Sequence, residues 1–222
     1  MRFHAIKMGF VQSYLICGER GCVLVDAGYK EDAKKMLAGI GQSGRKPEDI
    51  QLIVITHAHR DHVGGLTEIK KKSGASVLIH EKEASFLSEG KSAPVFPANR
   101  ILRVFVKPGT RQIFSSLNAD ITMSDDFDLT PYGVEGKVIH TPGHTPGSVA
   151  VIVGKEAFVG DTAMKFGFLS GKSYKPIIAG DLDEVARSWK KILDEGVETI
   201  HPSHGKSFPA MRMKKMLETF TP

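Results

Sequence analysis

The sequence predicts an α/β layered architecture, sheets covered by helices, on three observations. In the first half, short apolar runs of β character alternate with segments whose apolar residues recur at helical spacing. In the second half, strand signals return at short intervals between turn residues, which predicts a further sheet. The composition, 41% apolar and 25% charged over 222 residues, is that of an ordinary globular chain long enough to bury a substantial core. No short-period repeat or low-complexity tract interrupts it, so one domain over residues 1–222 is the simplest organisation, with a segment at about 87–118 set apart as an insert.

Taken in order, Tyr14 to Cys17 and Cys22 to Val25 are β-like runs joined by a glycine-flanked turn, which predicts a hairpin. Cys17 and Cys22 could face each other across it, but a two-cysteine cytoplasmic chain more often keeps reduced, buried thiols, and no catalytic role is assigned to them. Ala33, Met36, Leu37 and Ile40 line one face of a helix over Lys30 to Ile40, stopped at Gly41. Ile50 to Ile55 reads as a buried strand, Leu66 to Lys72 as a helix ending near Gly74, and Ala75 to Ile79 as another strand.

From Phe86 to Leu117 the pattern is irregular, broken by Pro94, Pro97 and Pro108. Ile101, Leu102, Phe105 and Val106 beside Arg100, Arg103 and Lys107 make a short basic amphipathic piece. It reads either as a lid or recognition element, touching a membrane surface or a partner chain, or as a connection packed on the body. Strand signals resume at Ile121 to Met123, Gly136 to His140, Ser148 to Val153 and Ala157 to Val159. Asp181 can cap a helix running to Glu195, with Glu184 three positions on and an apolar stripe through Leu182, Val185, Trp189, Ile192 and Leu193. A strand from Glu198 to Ile200 and a helix from Ala210 to Phe220 close the chain.

The formal charge is 30 − 25 = +5 and the pI about 9.1, yet no run of five like charges occurs. That describes a solvated basic surface rather than a nucleic-acid stripe. No stretch is long enough to span a bilayer and the N-terminus lacks an apolar leader. The expectation is a cytoplasmic protein acting on a small molecule, with homo-oligomer formation left open.

The chemistry concentrates in Thr56-His57-Ala58-His59-Arg60-Asp61-His62-Val63-Gly64-Gly65. Of nine histidines in the chain, three fall within six residues, beside an aspartate and directly after an apolar strand. Imidazole nitrogen and carboxylate oxygen suit zinc and neighbouring first-row metals, and a turn can aim His57 and His59 at one point while Asp61 and His62 face a second. Further acceptors stand where strands end: His144 in the rigid Pro- and Gly-rich turn Thr141 to Ser148, Asp161 in Gly160-Asp161-Thr162, and His204 in Ser203-His204-Gly205.

With these residues in view, the chain resembles the metallo-β-lactamase fold superfamily, in its glyoxalase II-like and lactonase-like branch. Thr56 to Gly65 is similar to that family's HxHxDH stretch, and the likeness continues through Val25-Asp26-Ala27-Gly28, Thr141 to Ser148, Gly160-Asp161-Thr162 and Ser203-His204-Gly205 in the family's order. The resemblance implies a four-layer αββα sandwich of two mixed sheets with metals at one edge. It implies that His57, His59 and His144 hold one ion, that Asp61, His62 and His204 hold a second, that Asp161 bridges them, and that Asp26 orients a ligand from behind. Two divalent ions, zinc first with iron or manganese as alternatives, would then generate a bridging hydroxide as nucleophile, with Asp61 as a proton donor to the leaving group. Asp61 and Asp161 are therefore the catalytic carboxylates that this resemblance implies.

Departures narrow the expected substrate. The best-known zinc β-lactamases of this family have Cys where this chain has Asp161, and flavin-linked di-iron members have Glu in place of His59. Glyoxalase II enzymes add a C-terminal helical extension, whereas eighteen residues follow His204 here. The reading that remains is hydrolysis of a small ester-like bond, a thioester, lactone or related ester. Phe166, Phe168 and Tyr174 are expected to contact substrate, with the insert. The alternatives are a mononuclear iron dioxygenase acting on a persulfide, a phosphodiesterase acting on nucleic acid, and a scaffold with a structural metal.

Overall fold

The computed structural model describes residues 2–98, 104, 107–165, 173–218 and 220, so the expectations placed on Phe166 and Phe168 and on Arg100, Ile101, Leu102, Arg103, Phe105 and Val106 lie outside the described residues. Strand side chains alternate between faces, and in this chain both faces are apolar over much of the length, which is the pattern of sheets covered on both sides. The first sheet runs β1 (Arg2–Met8), β2 (Val11–Cys17), β3 (Cys22–Val25), β4 (Ile50–Val54), β5 (Ser76–His80), β6 (Ile121–Met123), in that spatial order. Strands β1 to β3 pair antiparallel and β3 to β6 parallel. The second sheet is ordered β12 (Phe208–Pro209), β11 (Thr199–Pro202), β10 (Glu156–Gly160), β9 (Val149–Val153), β8 (Lys137–His140), β7 (Phe127–Asp128), with β10 and β11 parallel and the rest antiparallel.

Alternation sorts the apolar residues into three cores. Tyr14, Ile16, Val23, Val25, Leu52 and Val54 face Val138, Val149, Val151 and Phe158 between the sheets. The intervening Leu15, Leu24 and Ile53 face outward onto α1 (Ala33–Gln42) and α3 (Leu66–Ser73), where Met36, Ile40 and Ile69 wait. Ile139, Ala150 and Ile152 face out of the other sheet onto Val185, Trp189 and Ile192 of α5 (Leu182–Asp194) and Met213 of α6 (Ala210–Leu217). The result is helix, sheet, sheet, helix, the four-layer sandwich expected.

Besides the two-residue strands β7 and β12 and the short helix over Arg60–Val63, two longer elements exceed the expectation. Strand β1 adds an edge to the hairpin, and α4 (Glu81–Glu89) occupies the start of the stretch read as irregular. The thiol expectation is corrected: Cys17 and Cys22 are directly opposed on the β2–β3 ladder, with Cα atoms 4.1 Å apart, and form a disulfide. Register, which puts both side chains on one side of the ladder, is the reason. Among the described residues, no helix is long and apolar enough to cross a membrane.

Candidate metal centre

The parallel strands and their neighbours end together at one edge of the sandwich, and each end carries a polar side chain. Strand β3 delivers Asp26 and β4 delivers Thr56 to His59. The turn of helix α2 (Arg60–Val63) then presents Asp61 and His62. The loop after β8 carries His144, and Asp161 and His204 follow β10 and β11. Close approach is needed for this convergence. At Gly160, with φ +54°, an added Cβ would lie 2.7 Å from the Thr56 hydroxyl oxygen, and at Gly143, with φ +125°, 2.4 Å from the backbone nitrogen of Val185.

Three imidazole nitrogens form a near-equilateral triangle: His57 Nε2 to His59 Nδ1 is 3.0 Å, and His144 Nε2 lies 3.1 Å from each. A second group adjoins it. His204 Nε2 is 3.1 Å from Asp61 Oδ2 and 3.4 Å from Asp161 Oδ2, while His62 Nε2 is 3.5 Å from Asp161 Oδ1 and 3.7 Å from Asp61 Oδ2. Asp161 also lies 3.8 Å from His144 Nε2 and so touches both groups. Each of the seven residues belongs to at least one set whose ligand atoms lie within 4.8 Å of one another. Six are buried, and Asp61 is partly open at the mouth.

For four of the five rings, a partner on the far side fixes the orientation. His144 and His204 donate from Nδ1 to the carbonyls of Ile178 and Phe10, at 2.7 and 2.8 Å. His62 donates from Nδ1 to Asp26 Oδ2 at 2.7 Å, and His57 from Nδ1 to Thr56 Oγ1, which itself donates to Asp26 Oδ2. His57 and His144 therefore turn bare Nε2 lone pairs inward, while His62 and His204 aim Nε2 at the carboxylates of Asp161 and Asp61. Tyr174 is not brought to the cluster. Its ring is buried against Phe208 at 3.8 Å, and its hydroxyl accepts from Arg212.

A family model described as the metallo-beta-lactamase superfamily matches residues 6–204. The chain belongs to the metallo-beta-lactamase superfamily. It is 29% identical over 199 residues to a probable metallo-hydrolase of Methanocaldococcus jannaschii, covering 87% of each chain. Against a hydroxyacylglutathione hydrolase of Pseudomonas syringae it is 33% identical over 131 residues, 58% of this chain and 36% of that one. In fold it is similar to the B3 metallo-beta-lactamase BLEG-1, with a TM-score of 0.74, 22% identity and full coverage of both chains, and to BJP-1 of Bradyrhizobium japonicum, with 0.71, 21%, and 98% and 87%. The chain spans 66% of a probable metallo-hydrolase of Bacillus subtilis and 60% of a beta-lactamase-like protein of Drosophila melanogaster.

The donor set fits the divalent ions that a metallo-beta-lactamase superfamily member implies. Bare lone pairs of His57 and His144 facing each other at 3.1 Å repel without a cation between them. Among the described residues, His62 Nε2 and Asp161 Oδ1 are buried without a hydrogen-bond partner, an arrangement that costs free energy unless something charged satisfies these inward-facing atoms. Burial, reinforced by neighbouring rings, pushes His57 and His59 down, His59 to about 3, and burial also lowers His144; all three are in the neutral form that ligates. Burial also opposes charge on His62 and His204, but Asp161 and Asp61 overcome it, raising both, His204 to about 10. That corner demands positive charge. The family and this His/Asp cluster together fit a metal-dependent hydrolase.

Sequence reasoning missed three supports. The Ile178 and Phe10 carbonyls act through folding alone and leave no side-chain signal. Glu83 does leave one: it follows His80 by three positions, ahead of Leu87, as at a helix start. Fully buried on α4, its carboxylate accepts from Ala58 N at 2.9 Å and Gly147 N at 3.0 Å, tying the His57/His59 loop to the His144 loop. Helix α5 holds the same region from the other side, Ser188 donating to the Pro142 carbonyl and Trp189 Nε1 to the Thr162 carbonyl.

Proposed function

We propose that the protein is a dinuclear metal-dependent hydrolase cleaving a small ester-like bond, a thioester, lactone or related ester. The observation that carries this reading is the sharing of Asp161 between two adjoining ligand groups. In it, His57, His59 and His144 would hold one ion and Asp61, His62 and His204 a second, with Asp161 contributing to both. Divalent ions so held, zinc in the first place, supply Lewis acidity that polarises an acyl oxygen and makes water acidic enough to ionise near neutral pH.

The chain's own groups do the rest. Asp26 and Thr56 keep His57 and His62 turned inward, and the Ile178 and Phe10 carbonyls do the same for His144 and His204. Asp61, the most open of the ligands, stands beside His204 Nε2 where a proton can pass to a leaving group. Described residues after α4 meet the surroundings of the cluster: Pro97 bridges to Ile178, whose carbonyl accepts from His144, and Gln112 Oε1 accepts from Arg60 N, next to His59, at 3.1 Å. These contacts support a role in holding substrate. The thioester reading draws support from the hydroxyacylglutathione hydrolases among the relatives, whose name describes an acyl ester of a thiol.

The test is turnover of a panel of thioesters, lactones and small esters by protein loaded with zinc, iron or manganese, beside an Asp161→Ala variant. Activity on one class is expected, with activity and metal content both falling in the variant. Inactivity of the loaded protein across the panel overturns the substrate reading, and full metal occupancy in Asp161→Ala overturns the bridging role.

A further inference from the structure

Between the sheets, where Tyr14 meets Phe158, His201 of β11 is buried at 3% exposure in an aromatic clamp. Phe158 stacks on it at 4.8 Å, while Phe3 and Tyr14 meet its ring at 4.7 and 5.6 Å. Sheet register builds what surrounds it. The β10–β11 pairing sets Phe158 opposite His201 and Glu156 opposite Thr199, and β11–β12 sets Phe208 opposite Ile200, which brings Ser207 alongside the ring.

Each ring nitrogen has one polar partner. Nε2 lies 2.5 Å from Glu156 Oε2 and Nδ1 lies 2.7 Å from Ser207 Oγ. An ionised carboxylate can only accept, so the imidazole proton belongs on Nε2, and the bare Nδ1 accepts from the serine hydroxyl. The Tyr14 hydroxyl, which also approaches Ser207, already donates to the Pro202 carbonyl at 2.7 Å and accepts from Gln12 Nε2 at 2.6 Å. His201 is therefore the stronger base available to Ser207. Burial lowers the pKa of His201, against the pull of Glu156, so the ring is neutral at neutral pH and free to take a proton. Ser207 itself is exposed.

We infer that Ser207 is a nucleophilic serine, activated by His201 and Glu156, and a site of covalent modification by activated acyl or phosphonyl compounds, independent of the metal centre. The order of hydroxyl, bare nitrogen, N–H and carboxylate is that of a serine nucleophile with its base and orienting acid, with the two ring nitrogens exchanged. In the step, Ser207 Oγ bonds to the acyl carbon or phosphorus as the bond to the leaving group breaks. The hydroxyl proton passes to Nδ1, Glu156 stabilises the imidazolium, and that proton is then released to the leaving group or to water.

The experiment treats the metal-loaded full chain with an alkyl fluorophosphonate, whose fluoride is the leaving group, and follows intact mass and peptide mapping. One phosphonyl adduct on Ser207 is expected. It should be absent in Ser207→Ala at unchanged metal content, and form at least about tenfold more slowly in Glu156→Gln, since base assistance of this kind contributes about 10²–10⁴-fold. No adduct at Ser207, or equal rates in the native protein and Glu156→Gln, overturns the inference. Metal loss in Ser207→Ala overturns its independence from the metal centre.

Discussion

Asp26 sits in the left-handed region at φ +62°, uncommon for a residue with a Cβ, and from there its carboxylate accepts from Thr56 N, Thr56 Oγ1 and His62 Nδ1. An asparagine tolerates the same backbone but must aim its NH₂ at one of these donors. Asp26→Asn should therefore lower metal affinity about 10–100-fold, as loss of a supporting carboxylate does elsewhere. Titration against a chromophoric chelator checks this, and unchanged affinity would mean that His62 does not depend on Asp26 for its orientation. At this scale the clustering of candidate ligands was legible because His57, His59, Asp61 and His62 sit side by side in sequence. Glu83 showed at most as a helix-start residue; its tie between the two loops was not legible, because its partners Ala58 and Gly147 lie 25 and 64 residues away and meet it only after folding.

At the scale of elements, alternation of apolar residues announced β2 to β5 and β8 to β10, and the stripe ending in Trp189 and Ile192 announced α5, capped by Asp181 as expected. Strand β1 was hidden because an edge strand buries little: of Arg2–Met8 only Ile6 and Met8 are buried. Helix α4 was hidden by its cap, a histidine rather than a commoner capping residue: His80 accepts from Lys82 N. His80 also stacks on His140 at 3.9 Å, joining the two sheets, and burial, with His140 and Lys82, holds it down to about 4. The unfolded chain then binds more protons between about pH 4 and 6.5, so stability rises with pH through that window and is full above it. His80→Asn keeps a capping oxygen and removes the titration, so its denaturation midpoint should vary less between pH 4.5 and 7 than that of the native protein. An equal acid loss in both would place the titration elsewhere. The Cys17–Cys22 bridge closes only a short turn, and loop entropy gives it roughly 2 kcal/mol. Cys17→Ser with Cys22→Ser should thus lower Tm by about 4–8 °C in calorimetry; no change would mean that the bridge adds nothing to folding.

Over the whole molecule, strands consecutive in sequence lie side by side in each sheet, but no local pattern shows that the chain leaves the first sheet for the second between β6 and β7. The crossover placing β11 beside β10, and with it His204 beside Asp161, is set by sheet packing rather than by any local pattern. Candidate ligands spread from His57 to His204 meet only when both sheets close on each other, which makes the candidate metal centre a property of the complete fold. The most direct measurement is metal content per chain, by element-resolved mass spectrometry on protein purified without chelator, for the native sequence and for His62→Ala. The account predicts about two zinc or manganese ions per chain, falling to about one in the variant. A single iron, indifferent to the loss of His62, would contradict it.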